Sequence, residues 1–410
     1  MSITEHQESI PEELGKLPIT ELTTCPHEAF ARLRDTSPAI PVESAGHRYW
    51  AITRYEDVRR VLSDPSVARD RTKHGNKVNP GRAVRTDAKH PRVPRGVRQS
   101  PFYEEGERHQ LLRNTLGTIF TPRKMAELTR KVRDSAEELL ETFHRGQPID
   151  FLTDYAYPIS GKVICAIAGI AGNERNIRAA IDVEALLTPV VSEVERAARS
   201  LADWAAEIAD AKRQEPGDDV FTTLLRFHDE GLMTSEELTS SYVFLLIGGM
   251  EVAITIGNGA FTFMTHPGEL AKALARPELF DTCVDEIVRY ESNFRFLSPH
   301  VVTQALHFDG VTVPPGELLL ISLGAANRDP HQFDEPDTFD ITRTTTGHLG
   351  FGHGVHRCPG AQLGKAEVAV ALQMFFERFP RTALVDPPDQ ARWQPGKFKR
   401  RLEALPVIPL

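Results

Sequence analysis

Phe351-Gly-His-Gly-Val-His-Arg-Cys-Pro-Gly360 is the stretch on which the reading of this chain turns. It sets one cysteine, Cys358, in a frame of Phe351, Gly354, His356 and Gly360. Each residue type has a physical job if the sulfur is a ligand to haem iron. A thiolate needs a pKa below that of a free thiol, and the start of a helix supplies positive dipole and N–H groups for it. The run Gly360-Ala-Gln-Leu-Gly-Lys-Ala-Glu-Val-Ala-Val-Ala-Leu372 reads as that helix. Gly354 and Gly360 would let backbone approach a flat ring and reach conformations closed to other residues. Phe351 would cover the sulfur and keep water off it, and such a shell tunes a metal site.

Two plainer readings compete. A lone cysteine is most often a buried thiol in a turn. In a chain of this composition, however, Phe-x-x-Gly-x-(His or Arg)-x-Cys-x-Gly arises by chance in roughly one chain in ten thousand. A zinc site from His353, His356 and Cys358 would crowd three ligands into a few residues, and no partner cluster stands at zinc-like spacing.

The stretch resembles the cysteine loop of the cytochrome P450 family, the haem-thiolate monooxygenases, and the resemblance extends over nearly the whole chain. It implies a mainly α fold with a minor β region around one haem b (iron protoporphyrin IX). Cys358 would be the axial metal ligand and His356 a cofactor contact. A thiolate of this kind donates electron density that favours O–O cleavage. Two electrons would come from a ferredoxin- or flavodoxin-type donor. Arg357, Lys365 and the basic residues near 123–130 could form its docking face.

The composition agrees with an ordinary soluble globular protein: 410 residues, 26% charged and 40% hydrophobic. A net charge of −9 argues against a nucleic-acid partner. Four cysteines (25, 165, 283 and 358) at wide spacing form no disulfide framework, which fits a reducing cytoplasm. The N-terminal residues lack a basic-then-apolar signal, and no membrane-length apolar run is expected to span a bilayer. No linker composition divides the chain, so a single domain over 1–410 is expected.

From the N-terminus, a short helix is predicted at 27–34, paired strands at 39–43 and 49–53, and an amphipathic helix from Tyr55 stopped by Pro65. Residues 66–105 read as a long loop. Between Arg69 and Arg98 lie ten Lys/Arg against two Asp. This is either a solvated charge run or, as the resemblance suggests, a segment over the substrate side that recognises an anionic or carrier-bound small molecule. His109 and Arg113 stand four apart on one face of a predicted helix. The resemblance implies that they bind haem propionates. Helices are further predicted at about 123–145, 157–170, 175–187, 190–213 and 219–228, with hairpins returning near 300–322 and in the last thirty residues.

The central helix is predicted to begin near Thr234-Ser-Glu-Glu and to run through Tyr242-Val-Phe-Leu-Leu-Ile-Gly-Gly-Met-Glu-Val-Ala-Ile-Thr-Ile-Gly-Asn258. It is apolar on nearly all sides and should be buried. Gly248 and Gly249 each cost about 1 kcal/mol against alanine. Local widening of the helix or a close ligand would explain them. An acid at Glu251 must be paired, neutral or working, and a structural carboxylate is the plainer reading. In the family this helix crosses the oxygen-binding face of the haem, with the pattern small-Gly-x-acid-Thr. Here Gly248-Gly249-Met250-Glu251 is followed by Val252 and Ala253, so the usual alcohol is absent and the next hydroxyl is Thr255. Burial is expected to keep Glu251 partly protonated. It is then the candidate catalytic proton relay, with Thr255 or the substrate's own polar group helping.

Glu286-Ile-Val-Arg289 matches the family's structural Glu-x-x-Arg pair and gains weight from Ala326-Asn-Arg-Asp-Pro330. Thr338 stands where the family often has a third, arginine partner, so Arg343 is expected to substitute. The resemblance makes His300 a propionate ligand, and a strand-edge histidine is the alternative. The function expected is oxidation of a small organic substrate of the secondary-metabolite type with dioxygen. Because the alcohol is missing, aromatic coupling, nitration or peroxide-driven oxidation stays open as a second outcome. A haem protein that binds without turnover is the third.

Overall fold

A computed structural model describes residues 26–44, 47–69, 104–117, 120–183, 186, 191–394 and 399–410. The basic segment 70–98 and Cys25 lie outside these residues. The described chain gathers into two compact units. One holds the residues up to 69 with Asp285–Cys358 and the described part of Trp393–Arg401. The other holds those from 104 to Val284 with Pro359–Arg392 and Leu402–Leu410.

The first unit is built on a sheet. Helix α1 (Pro26–Thr36) leads into β1 (Ile40–Ser44), β2 (His47–Ile52), α2 (Tyr55–Ser63) and β3 (Val67–Ala68). Later in the chain β5 (His300–Val302) and β8 (Leu318–Ile321) join it, while β6 (Leu306–Phe308) and β7 (Val311–Val313) between them form a separate antiparallel pair. Five strands take the order β1-β2-β8-β5-β3, with β2 and β8 parallel and the other pairs antiparallel. β8 has neighbours on both sides and faces apolar matter above and below, which is why it reads Leu-Leu-Leu-Ile without alternation. Pro41 is tolerated because β1 is an edge strand.

The side chains of this sheet sort by pleat. Trp50, Ile52, Leu319 and Ile321 pack with Tyr55, Val58, Val61 and Leu62 of α2. Ala51 and Leu320 point the other way and pack with Ala29, Phe30 and Leu33 of α1. The helix–hairpin–helix opening expected from sequence is thus what forms, and each helix covers one face. The segment expected as loop from 66 contains β3, whose Val67 and Ala68 pair with Val302 and Val301.

The second unit is helical: α3 (Glu107–Gly117), α4 (Pro122–Thr142), α5 (Tyr157–Ile167), α6 (Glu174–Asp182), α7 (Val191–Gln214), α8 (Val220–Asp229), α9 (Ser235–Thr265), α10 (Pro267–Ala275), the first half of α11 (Leu279–Tyr290) and α12 (Ala361–Arg378). A single π-turn, Leu152–Ala156, precedes α5 and was not foreseen. A small sheet joins β4 (Ile149–Asp150) to β10 (Pro406–Ile408) and β9 (Ala383–Leu384).

α9 organises this unit. It begins where the sequence predicts, and Thr234 caps it, accepting from the Glu237 N–H at 3.2 Å while the Glu237 carboxylate accepts from Thr234 N–H at 2.7 Å. By length and mean hydropathy (1.6 over its most apolar window) the helix could cross a membrane. It packs instead against α5, α7, α8 and α12 as a core helix, with Tyr242, Leu246, Met250 and Phe263 fully enclosed.

Candidate active site

The turn around Cys358 is fixed by hydrogen bonds that begin far away in sequence. Glu286 and Arg289 project from α11 with their side chains 1% and 0% exposed. Arg289 donates to Glu286 Oε2 at 2.7 Å and Oε1 at 2.8 Å, and to the carbonyls of Asn327, Pro336 and Thr338. Arg343 Nε reaches Glu286 Oε1 at 3.2 Å, so it is the third partner that Thr338 cannot be. A buried ion pair survives only with such additional hydrogen bonds. Asn327 carries the bracing onward: its Nδ2 donates to Ser292 Oγ at 2.8 Å and its Oδ1 accepts the Leu349 N–H at 2.6 Å. Arg328 lies over Tyr290, 3.7 Å from the ring centroid, and Asp329 Oδ2 accepts the Tyr55 N–H at the start of α2. The segment Ala326–Pro330 therefore ties α11, α2 and the approach to the cysteine turn together.

Within that turn the Cys358 N–H donates to the Phe351 carbonyl at 2.8 Å. Gly352 and Gly354 hold φ of +72° and +71°. At Gly354 a Cβ would also stand 2.9 Å from the Leu62 carbonyl of α2, so glycine is required there on two counts. Gly360 differs from expectation: its φ of −86° is open to any residue. A Cβ there would make an ordinary contact with the Phe120 ring, at 3.8 Å, so among the described residues neither space nor backbone shape requires glycine. His356 ends the 3-10 turn Gly354–His356 and is half-exposed, while Arg357 beside it is exposed.

Cys358 is half-buried, forms no disulfide and stands just before α12 in the sequence. Among the described residues no three His, Cys, Asp or Glu groups converge as a metal ion would need. The donor set thus fits a cofactor that brings its own ligands and takes one sulfur from the protein, and it does not fit structural zinc.

His300 sits in the same unit, 4% exposed, and is not at a sheet edge, since β5 lies between β8 and β3. Its Nδ1 meets the Ser298 carbonyl at 2.8 Å. The carbonyl can only accept, so Nδ1 carries a proton, and Nε2 could donate to an anion only if it were protonated as well.

The second unit carries the remaining candidates. His109 (4% exposed) and the half-buried Arg113 share one face of α3. Arg108, on another face, anchors the helix to the start of α9 through Glu237 at 2.8 Å. Burial works against the Glu237 carboxylate, but the Thr234 N–H and the Arg108 guanidinium hold it below the usual carboxylate range. Lys124, one of the basic residues near 123–130, is already paired with Asp218 at 3.0 Å.

α9 stays α-helical through both mid-helix glycines, so the widening considered from sequence does not occur. The two glycines have different reasons. At Gly249 a Cβ would stand 2.7 Å from Ile164 of α5, a demand of helix packing. Gly248 is exposed, with open space where its Cβ would be. Such a gap on an apolar helix is where a ligand can come close. Glu251 is half-buried one turn on. Thr255 Oγ1 donates to the Glu251 carbonyl at 3.2 Å, so its proton is committed to backbone while its lone pairs can still accept. Val252 turns a methyl toward Gly364 of α12.

Sequence reasoning missed two groups. Asn327 was visible only as part of a run, without a role. Glu367, on α12, is 2% exposed and accepts from Ser160 Oγ at 2.6 Å. Burial pushes its carboxyl up to about 8, against the lowering effect of the Ser160 hydroxyl. An acid in an otherwise apolar helical run was the available signal.

Comparison with known proteins agrees with this geometry. Residues 269–401 match the family model described as Cytochrome P450. The chain is 33% identical over 394 residues to 6-deoxyerythronolide B hydroxylase of Saccharopolyspora erythraea, covering 93% of this chain and 95% of that one. Among solved structures it resembles the tirandamycin C-bound P450 monooxygenase TamI, with TM-score 0.86, 28% identity, and 96% and 100% of the two chains covered. It also resembles P450BioI in complex with an acyl carrier protein ligated to hexadec-9Z-enoic acid, with TM-score 0.83, 27% identity, and 95% and 99% covered.

Proposed function

The chain belongs to the cytochrome P450 family, and from that premise we propose how its residues oxidise a small organic substrate. It is a haem-dependent monooxygenase, an oxidoreductase, related to enzymes of secondary metabolism. On our reading the chain acts as one domain, residues 1–410, around one haem b in the cytoplasm. When bound, the haem supplies dioxygen activation, and a thiolate ligand favours O–O cleavage.

Cys358 would hold the haem iron through its sulfur. The observation that carries this is the cysteine turn itself: a half-buried thiol just before α12 in the sequence, with its N–H held by Phe351 and its approach braced by Asn327. His109, Arg113 and His300 would neutralise and orient the haem carboxylates, and His356 would contact the cofactor beside the cysteine. Burial of His109 and His300 makes such pairing worth more than it would be in water.

Glu251 moves the proton that O–O cleavage needs. The side chains of Val252 and Ala253 have no hydrogen to give. Thr255 can accept from a water but has committed its own proton to the Glu251 carbonyl. This narrows its expected part: it positions a water, and the carboxyl of Glu251 or a polar group of the substrate is the donor.

The substrate is anionic or carrier-bound. The excess of basic residues between Arg69 and Arg98 supports this, as does the likeness to P450BioI, solved in complex with an acyl carrier protein ligated to hexadec-9Z-enoic acid. Two electrons come from a ferredoxin- or flavodoxin-type donor. Coupling, nitration and binding without turnover are not favoured, since relatives such as 6-deoxyerythronolide B hydroxylase and TamI are named a hydroxylase and a monooxygenase.

Turnover with a surrogate ferredoxin and its reductase under ¹⁸O₂ tests the reading. One labelled oxygen atom in the product is expected. Oxidised product without label would contradict it.

A further inference from the structure

We propose that Asp285 and His348 form a positioning pair that sets the Phe351–Cys358 turn and thereby tunes the electron donation of the cysteine sulfur. The inference rests on Cys358 being the haem ligand and adds to that reading a control on it.

His348 has a nearly buried side chain, 7% exposed, and its Nε2 lies 3.0 Å from Asp285 Oδ1. Its other nitrogen, Nδ1, receives the Gly350 N–H at 3.2 Å. A backbone N–H can only donate, so Nδ1 is the acceptor and the proton sits on Nε2, donated to Asp285. One carboxylate and one amide therefore fix both the tautomer and the orientation of the ring. The fixed ring in turn lies against Phe351, with centroids 5.6 Å apart and planes at 58°.

The turn is held on its remaining sides by the same helix. A Cβ on Gly350 would overlap the Val288 side chain of α11, so the turn lies directly on the helix from which Asp285 projects three residues earlier. Leu349 N–H goes to Asn327 and Gly352 N–H to the Leu349 carbonyl at 2.7 Å. Phe351 is then the junction. Its ring contacts His348, and its carbonyl accepts the Cys358 N–H at 2.8 Å. Displacing the imidazole would release the Gly350 amide, tilt the Phe351 peptide and alter the backbone that carries the sulfur. Hydrogen bonding and apolar cover around a ligating sulfur are what set its donor strength.

The glutamate–arginine pair beside it is built differently. Glu286 is 1% exposed and held by two arginines, whereas Asp285 keeps 28% of its side chain exposed. Glu286 serves the fold, and Asp285 serves one ring.

The test compares holoenzymes of wild type, Asp285→Ala, Asp285→Asn and His348→Phe. His348→Phe keeps the ring contact with Phe351 and removes both hydrogen bonds. Asp285→Asn keeps an acceptor for Nε2–H without the charge. The readouts are the ferrous–CO spectrum, the haem reduction potential and hydrogen exchange of the peptide spanning 345–358. In Asp285→Ala and His348→Phe we expect decay of the red-shifted CO band to accelerate about 10-fold, the lower end for losing a partner of a metal-ligating group. The potential should shift and exchange of the peptide should quicken, and Asp285→Asn should restore most of all three. An unchanged band and potential in the folded fraction, with only thermal stability lowered, would overturn the proposal. A wild type without the red-shifted band would overturn the ligand assignment itself, and this inference with it.

Discussion

The cysteine turn and the middle of α9 both stand out as short motifs, and they are built in opposite ways. Around the turn nearly every polar group has a named mate: Glu286 with Arg289 and Arg343, Asn327 with Leu349, Phe351 with Cys358. In α9 the centre is glycine, valine and alanine, with a half-buried acid and open space at Gly248. The first region is held by the chain's own hydrogen bonds, as a preorganised site must be. The second is apolar apart from one half-buried acid. The difference teaches where this chain is generic and where it is particular. The motif around its cysteine follows the family's pattern, and the residues after Glu251 depart from it.

The largest effect should come from breaking the satisfied region. Arg289→Ala leaves Glu286 as a buried charge with one arginine fewer, a loss of about 3–5 kcal/mol when a buried pair is broken. Urea unfolding should show that loss together with poor haem retention. A variant within about 1 kcal/mol of wild type would mean the bracing is redundant.

In the open region the expectation is chemical and not structural. Glu251→Gln should cut product formation by about 10²-fold, the scale of general-acid catalysis, with substrate binding and stability nearly unchanged. Normal turnover would make Glu251 a structural acid and erase the contrast.

Glu367, on the helix that follows the cysteine turn, gives a smaller effect with a defined sign. Its folded pKa, about 8, lies above its ordinary value of 4.5, so the folded state holds the proton more tightly. The stabilisation is complete below about 4.5 and is lost as pH rises through about 8. Glu367→Gln should remove that slope, melting above wild type at pH 8.5 and not at pH 5. About 1 kcal/mol would move the midpoint by about 2–4 °C. Parallel melting curves for the two proteins would show that the acid finds another partner.

Val252→Thr should be the mildest change. Restoring the family's hydroxyl should alter the ratio of product to electrons consumed by less than about 2-fold, well under a general-acid effect, if Glu251 delivers the proton as proposed. A sharp rise in that ratio would show that the native relay is inefficient.

The start of α9 near Thr234, the helix–hairpin–helix opening and the role of Arg343 were legible because each depends on local spacing or on one substitution within a known pattern. The parallel pairing of β2 with β8 was not, since residues 50 and 319 share no local signal. His348 was hidden for the same reason: its partner Asp285 lies 63 residues away. Glu251 and Thr255 were found, but which of them keeps a proton to give depended on the i−4 hydrogen bond to a carbonyl. The basic segment 70–98 lies outside the described residues, so its part rests on charge alone.

Everything above hangs on the sulfur of Cys358, and the ferrous–CO spectrum reads it directly. Wild type should show the strongly red-shifted Soret band of thiolate ligation, and Cys358→His should lose that band even where haem is retained. A histidine variant that keeps the shifted band would place the ligand elsewhere and contradict the assignment.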